Sequence, residues 1–271
     1  MSDQEIHTGW RQITDDHPMT SEHVGSDTTA NYLLALSVAV GLAAGGFLVS
    51  NFLSLPLLAL FSFFEISFQS TIGYAASTLL QGIAFVLVVV VYMRYTNHSD
   101  LLNIRRPSMS NPERILRDLG WVIGGSILLL VASQAVGMAL QQFGLAPGTN
   151  RIVSAVRQDP TLALYLIVLS FVATGPGEET LFRGGVQGIL RGTFSPVSAV
   201  VLSSALFGFA HVTAVVTGSG ASGIPGYVIS AFVLGLVLGG LYEHTNNLLV
   251  PVLVHGAYNA ILFIQLAIGL V

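Results

Sequence analysis

The chain has 271 residues, of which 52% are hydrophobic and only 9% charged, and its formal net charge is −4. A soluble domain carries about 25% charged residues. This composition, with a mean hydropathy of +0.73, therefore excludes an ordinary soluble globule and describes a polytopic membrane protein with no nucleic-acid partner. Cysteine is absent, which excludes disulfides, thiolate metal sites and a cysteine nucleophile.

Residues 1–29 are polar, acidic and rich in Ser, Thr, Asp and His. They bury too little apolar surface to order themselves and read as a flexible tail, which leaves 30–271 as the transmembrane domain. The tail lacks the apolar stretch and cleavage site of a signal peptide. Its His7, His17 and His23 read as solvated, with a weak metal-binding tail as the alternative. Apolar segments of about spanning length, ~20 residues, then follow. They cover 31–50, 72–93, 119–140, 162–190, 197–217, 227–242 and 248–270. The run 52–64 contains Pro56 and is too short to span alone; it extends the first helix or lies re-entrant. The expected fold is all-α, a polytopic transmembrane bundle of about seven to eight helices.

Arg94, Arg105, Arg106, Arg114 and Arg117 crowd the loop 94–117, which the positive-inside rule places in the cytoplasm. The N-terminus is then cytoplasmic. The Arg191 turn returns to that side, and the loop 141–159 lies outside. The expected location is the plasma membrane of a prokaryote. Gly45 with Gly46, Gly124 with Gly125, and Gly235 with Gly239 read as close helix packing, within the chain rather than between copies.

Beyond Asp159 the only charged side chains are Glu178, Glu179, Arg183, Arg191 and Glu243. Ionisable groups are costly in a bilayer and mark functional sites there. Glu178 and Glu179 lie in Gly175-Pro176-Gly177-Glu178-Glu179. Two more polar signals follow, Phe207 to His211 and His255 to Asn259. With one long helix over 162–190, bent at Pro176, the glutamates lie about 20 Å from the turn near Phe194. His211 lies about 24 Å from the same turn, and His255 about 12 Å from the turn at 243–247. Tilt and kinks absorb the mismatch. A helix ending at Gly175 would leave both acids at the surface, away from His211.

On the long helix Glu179 and Arg183 are four residues apart and form a same-face ion pair. Glu178 points about 100° away. His255 and Asn259 share a face, as do Phe207 and His211, whose aromatic ring shapes a pocket wall. A desolvated glutamate can take a proton from water. A histidine can share in that activation or hold a metal that performs it. A second histidine and an amide can donate to the oxyanion of a tetrahedral intermediate. These are the parts of a peptide-bond hydrolase.

Glu-Glu-x-x-x-Arg, Phe-x-x-x-His and His-x-x-x-Asn, in this order over about 162–270, resemble the CPBP family of CAAX-processing and bacteriocin-processing intramembrane proteases, also called Abi or Ras-converting-enzyme-like. The resemblance implies glutamate-dependent endoproteolysis by a helical membrane bundle. It casts Glu178 as general base with His211, and His255 and Asn259 as oxyanion stabilisers. Glu179, Arg183 and Phe207 take supporting roles. Members are often named metalloproteases. Glu178, His211 and His255 would supply the ligands of a divalent metal such as zinc; the alternative is a site with no cofactor. The implied partners are membrane lipid and a peptide or membrane-protein substrate, prenylated in the eukaryotic relatives.

Rival readings make their own demands. There is no His-Glu-x-x-His for a zinc site-2 protease, and no aspartate beyond Asp159 for a paired-aspartate protease. Gly220-Ala221-Ser222-Gly223 fits the rhomboid pattern, with Ser222 as nucleophile, but it lies in a glycine-rich loop and leaves Glu178 and His211 unexplained. From another class altogether, a non-catalytic transporter, immunity protein or scaffold would use the same groups as a proton or ion relay.

The arginine loop sets the first prediction. In otherwise cysteine-free protein, a cysteine at Ser108 should escape an impermeant thiol reagent in intact cells and react after lysis. Labelling from outside would overturn the orientation.

Overall fold

The computed structural model describes residues 21–98, 101–215 and 223–270, with side chains from residue 29 onward. All of it is helical apart from loops and one isolated backbone bridge, Asn150 to Val215. Eight helices account for it: α1 Ser21–Phe63, α2 Thr71–Thr96, α3 Pro112–Gln142, α4 Arg151–Gln158, α5 Thr161–Arg191, α6 Pro196–Ala210, α7 Gly223–Thr245 and α8 Leu249–Ala267. Among the described residues seven helices are long and apolar enough to cross a membrane, all but α4. The chain is an integral membrane protein.

Several boundaries differ from the sequence reading. The run 52–64 is neither a separate span nor re-entrant; it continues α1, with Pro56 inside the helix. Helix α1 begins at Ser21, within the stretch read as a tail, while His7 and His17 lie outside the described residues. Helix α3 starts at Pro112, because Asn111 caps it by accepting from Arg114 N–H at 3.1 Å. The loop 141–159 contains the short α4, capped by the Asn150 side chain. Helix α6 starts in the same manner, with Ser195 as cap and Pro196 in the first turn. Short polar side chains accept the orphan N–H groups of a first turn, and proline there loses nothing.

Helix α5 is the centre of the bundle. It touches α1, α2, α6, α7 and α8, while α3 packs outside on α7 and α8. One apolar core, with Leu42, Phe85, Val89, Leu181, Phe182, Val186, Leu190 and Phe207, joins α1, α2, α5 and α6. A second, with Leu129, Leu238, Leu241, Val250 and Val254, joins α3, α7 and α8. Leu34, Phe52, Leu164, Val168, Val172 and Val197 stay exposed on the outer surface, as lipid-facing side chains do.

Pro176 does not end α5. The helix widens into π-helical turns at Ser170–Thr174 before it and Thr180–Gln187 after it. Gly175 N–H donates to the Ser170 carbonyl, five residues back. Such wide turns inside α-helices occur often at functional sites. The backbone here is tightly enclosed. A Cβ on Gly82 of α2 would lie 2.6 Å from the Ala173 carbonyl oxygen, and one on Gly177 would lie 2.6 Å from Gly82 Cα. On the other side, a Cβ on Gly175 would lie 2.8 Å from the Val252 carbonyl oxygen of α8.

The loop 101–106 is tied to the turn between α7 and α8. Asn247 accepts from Arg105 N–H at 3.0 Å and donates to Asp118 at 3.0 Å. Leu248 N–H reaches the Asn103 carbonyl at 2.8 Å. The turn 243–247 is thus held, with Asn247 buried. At the opposite end, the carboxylate of Asp159 accepts from the Thr71 hydroxyl and from Thr161. These bonds, those of Thr161 first, hold its carboxyl below the usual aspartate value.

The crossing of α2 and α5 sets the second prediction. Gly82→Ala forces backbone apart and should cost about 1–3 kcal/mol, read as a lower melting temperature in detergent. Gly124→Ala, where an added methyl meets nothing within 4 Å, should melt like the parent or higher. Equal melting of the two variants would show that the close approach constrains nothing.

Candidate active site

The long α5 brings its two glutamates to different neighbours. Glu179 is fully buried, at 0% exposure, and Arg183 is at 1%. Arg183 Nε lies 3.1 Å from Glu179 Oε2, and its Nη1 donates to Glu179 Oε1 at 3.3 Å. The guanidinium also donates to the Gly235 carbonyl of α7 at 3.1 Å and stacks over the Phe207 ring of α6, 4.5 Å from its centroid. Glu179 Oε1 further receives His255 Nδ1 from α8, at 2.7 Å. One buried ion pair therefore gathers three helices around α5.

Glu178 faces elsewhere. Its Oε2 is buried and has no hydrogen-bond partner. It lies 3.9 Å from His211 Nε2 and 3.9 Å from His255 Nε2. Both histidines are oriented from behind: His211 Nδ1 bonds to the Phe207 carbonyl at 2.8 Å, and His255 Nδ1 to Glu179. Each Nδ1 sits against an acceptor, so each carries its proton there and turns a lone pair on Nε2 towards Glu178 in the neutral ring. Glu178 Oε2 and the two Nε2 atoms thus converge at a spacing too long for direct hydrogen bonds and suited to one bridging water, which can donate to Glu178 and His211 and accept from His255 once that ring is protonated. Phe207 walls this point, with its ring 4.4 Å from that of His211 and 6.2 Å from that of His255.

The structure brings Glu178, Glu179, Arg183, Phe207, His211 and His255 together. Asn259 lies one turn beyond His255 on the same face of α8, half-buried. His255 does not pair with it as the spacing implied, because the Glu179 carboxylate takes the imidazole first. Ser222 lies outside the described residues.

Sequence reasoning missed Gln187. It is fully buried one turn beyond Arg183. Its amide donates to the Gly239 carbonyl at 3.3 Å and to Glu243 at 3.4 Å, and Glu243 in turn pairs with Arg191 at 3.0 Å. Positions 179, 183, 187 and 191 of α5 thus form a polar ladder against 235, 239 and 243 of α7. The signal was there in the four-residue period of polar side chains on an apolar helix. Gly235 and Gly239 serve this seam: a Cβ on Gly239 would lie 3.0 Å from Gln187 Oε1.

The metal reading needs donors drawn close. A tetrahedral zinc with ligands at about 2.0–2.1 Å holds them roughly 3.3–3.4 Å apart. Glu178 stands 3.9 Å from each histidine. Among the described residues no group of three or more His, Asp or Glu side chains is placed to hold a metal ion. The side chains as placed do not fit zinc.

Residues 160–261 match the family model described as type II CAAX prenyl endopeptidase Rce1-like. That segment holds every residue of the cluster. Over it, the chain is similar to that family. The resemblance to the CPBP intramembrane proteases is thereby shown, and it supports a protease acting on a peptide or protein substrate in a membrane. No curated protein and no solved structure matches the chain.

The buried pair sets the third prediction. Arg183→Leu leaves Glu179 buried without its guanidinium and with only His255 as partner, which should destabilise the fold by about 3–5 kcal/mol. Glu178→Gln should melt within a few degrees of the parent. Reversal of that order in thermal unfolding would contradict the division of labour between the two acids.

Proposed function

We propose that this protein is an intramembrane endopeptidase that hydrolyses peptide bonds with water activated by Glu178 and His211. The observation that carries the reading is the unpartnered Glu178 Oε2 placed 3.9 Å from both Nε2 atoms. A water among these acceptors gives one proton to Glu178 and directs the other at His211. Its oxygen attacks the substrate carbonyl carbon, and the C=O pair becomes an oxyanion. Asn259, through its NH2 group, and protonated His255, through Nε2–H, donate to that oxyanion. Glu178 then passes its proton to the departing amine as the C–N bond breaks, and His211 takes the remaining water-derived proton from the new carboxyl group, leaving a carboxylate and a free amine. Glu179 and Arg183 hold His255 in place and do not react. No step is routed through a metal.

The Rce1-like match supports a CAAX-ending, prenylated peptide as the substrate class. The test compares cleavage of a farnesylated, internally quenched CAAX peptide with its unprenylated twin, alongside a comparison of host-membrane peptides from wild-type and Glu178→Gln cells. Glu178→Gln should lower kcat by at least about 10²-fold, the usual worth of a general base, with folded protein retained. His211→Ala and His255→Ala should each lose activity, and Ser222→Ala should keep it. Near-full activity of Glu178→Gln would remove the general base. Ion flux across liposomes that depends on Glu178, with no peptide cleaved, would support the relay reading instead. A chelator should leave the initial rate unchanged; loss of activity with recovery on added zinc would show that the metal-free mechanism is wrong while the protease reading stands.

A further inference from the structure

Tyr227 stands at the start of the second turn of α7, outside the three motifs. Its ring lies beside that of His211, with centroids 6.2 Å apart. The hydroxyl oxygen accepts a hydrogen bond from Asn150 Nδ2. The other end of that amide fixes the direction, because Asn150 Oδ1 accepts Ile152 N–H at 2.8 Å. The amide oxygen is thus accounted for, and the NH2 group must face the phenol.

A phenol has one proton to give. Since Tyr227 accepts from Asn150, its own O–H is left for another partner, and among the described residues it has none. Asn150 is itself clamped over this end of the bundle. Its backbone pairs with Val215, four residues past His211. Gly148 N–H donates to the Gly223 carbonyl, at the start of α7, at 2.9 Å. A donor held this firmly beside the reacting groups needs no reorganisation as charge develops.

We propose that Tyr227 is a further catalytic hydrogen-bond donor, whose O–H binds the substrate carbonyl oxygen as it becomes an oxyanion, alongside Asn259 and His255. The proton stays on the phenol throughout, and only the hydrogen bond shortens. This rests on the water-activation reading of Glu178 and His211. A purely structural tyrosine would be satisfied by accepting from Asn150 and would have no use for the free O–H.

The test uses the purified full chain in detergent and a peptide whose cleavage depends on Glu178. Tyr227→Phe keeps the ring and loses the hydroxyl. It should lower kcat by ~10²-fold, the usual cost of one oxyanion donor, with KM within about twofold. A phosphinate analogue of the peptide, which mimics the tetrahedral intermediate, should lose affinity in proportion. Asn150→Ala, which frees the phenol without removing it, should lose less of kcat. In place of a variant that fails to fold, 3,5-difluorotyrosine at position 227 makes the phenol more acidic. It should move the alkaline limb of kcat to lower pH; an unmoved limb contradicts donation. Wild-type kcat in Tyr227→Phe, or a rise in KM alone, would overturn the proposal while inactivity of Glu178→Gln keeps the site reading. If Glu178→Gln is also fully active, or no Glu178-dependent peptide exists, both fall together.

Discussion

The structure depends on one ion pair placed where water is scarce. Glu179 and Arg183 are almost wholly buried, and removing two charges from water costs several kcal/mol each unless every lone pair and proton is used. The partners come from everywhere around α5: the Gly235 carbonyl of α7, the Phe207 ring of α6 and the His255 imidazole of α8. None of these helices can slide along α5 without uncovering a charge. The ladder continues through Gln187 to Glu243 and Arg191, so the α5–α7 register is fixed over the whole distance from the site to the surface turn. Apolar contacts cannot do this alone inside a bilayer, where lipid tails compete equally for them.

The same constraint separates two neighbouring carboxylates by role. Glu179 accepts at Oε1 from Arg183 and His255 and is ion-paired through Oε2 with Arg183 Nε, although Oε2 accepts no well-aligned hydrogen bond, and it positions. Glu178, one residue earlier and turned away, keeps an oxygen without a partner. An unsatisfied buried acceptor is expensive and persists because the surrounding packing over-determines it. The glycines enforce that packing. With Gly82 against Gly177 and Gly175 against Val252, the backbone bearing both acids is pinned between α2 and α8. The π-helical turns on either side let Pro176 sit within the helix without breaking it.

Much of this was legible in the sequence, and the failures share a cause. The seven spans, the long fifth helix and the Glu179–Arg183 pair follow from hydropathy, rise per residue and four-residue spacing. Those are local rules. His255 was read against its own neighbour, Asn259, because both share a helix face; its partner lies 76 positions away. Gln187 and Tyr227 are bonded across 52 and 77 positions, and no periodicity announces such pairs. Helix α4 is only 8 residues long, below the length at which an apolar pattern stands out from a polar loop. The run 52–64 was left between extending the first helix and lying re-entrant, because Pro56 suggested a break; α1 runs through it.

The central claim is that Glu178 and His211 act on one water as a unit. Groups that act together in one step are not additive when removed. The most direct measurement is therefore a double-mutant cycle on kcat, with Glu178→Gln, His211→Ala and the combined variant, on a peptide the wild type cleaves. The account predicts that the double variant is no more than about threefold slower than the worse single one. Losses that multiply, each residue costing its full factor independently of the other, would contradict it.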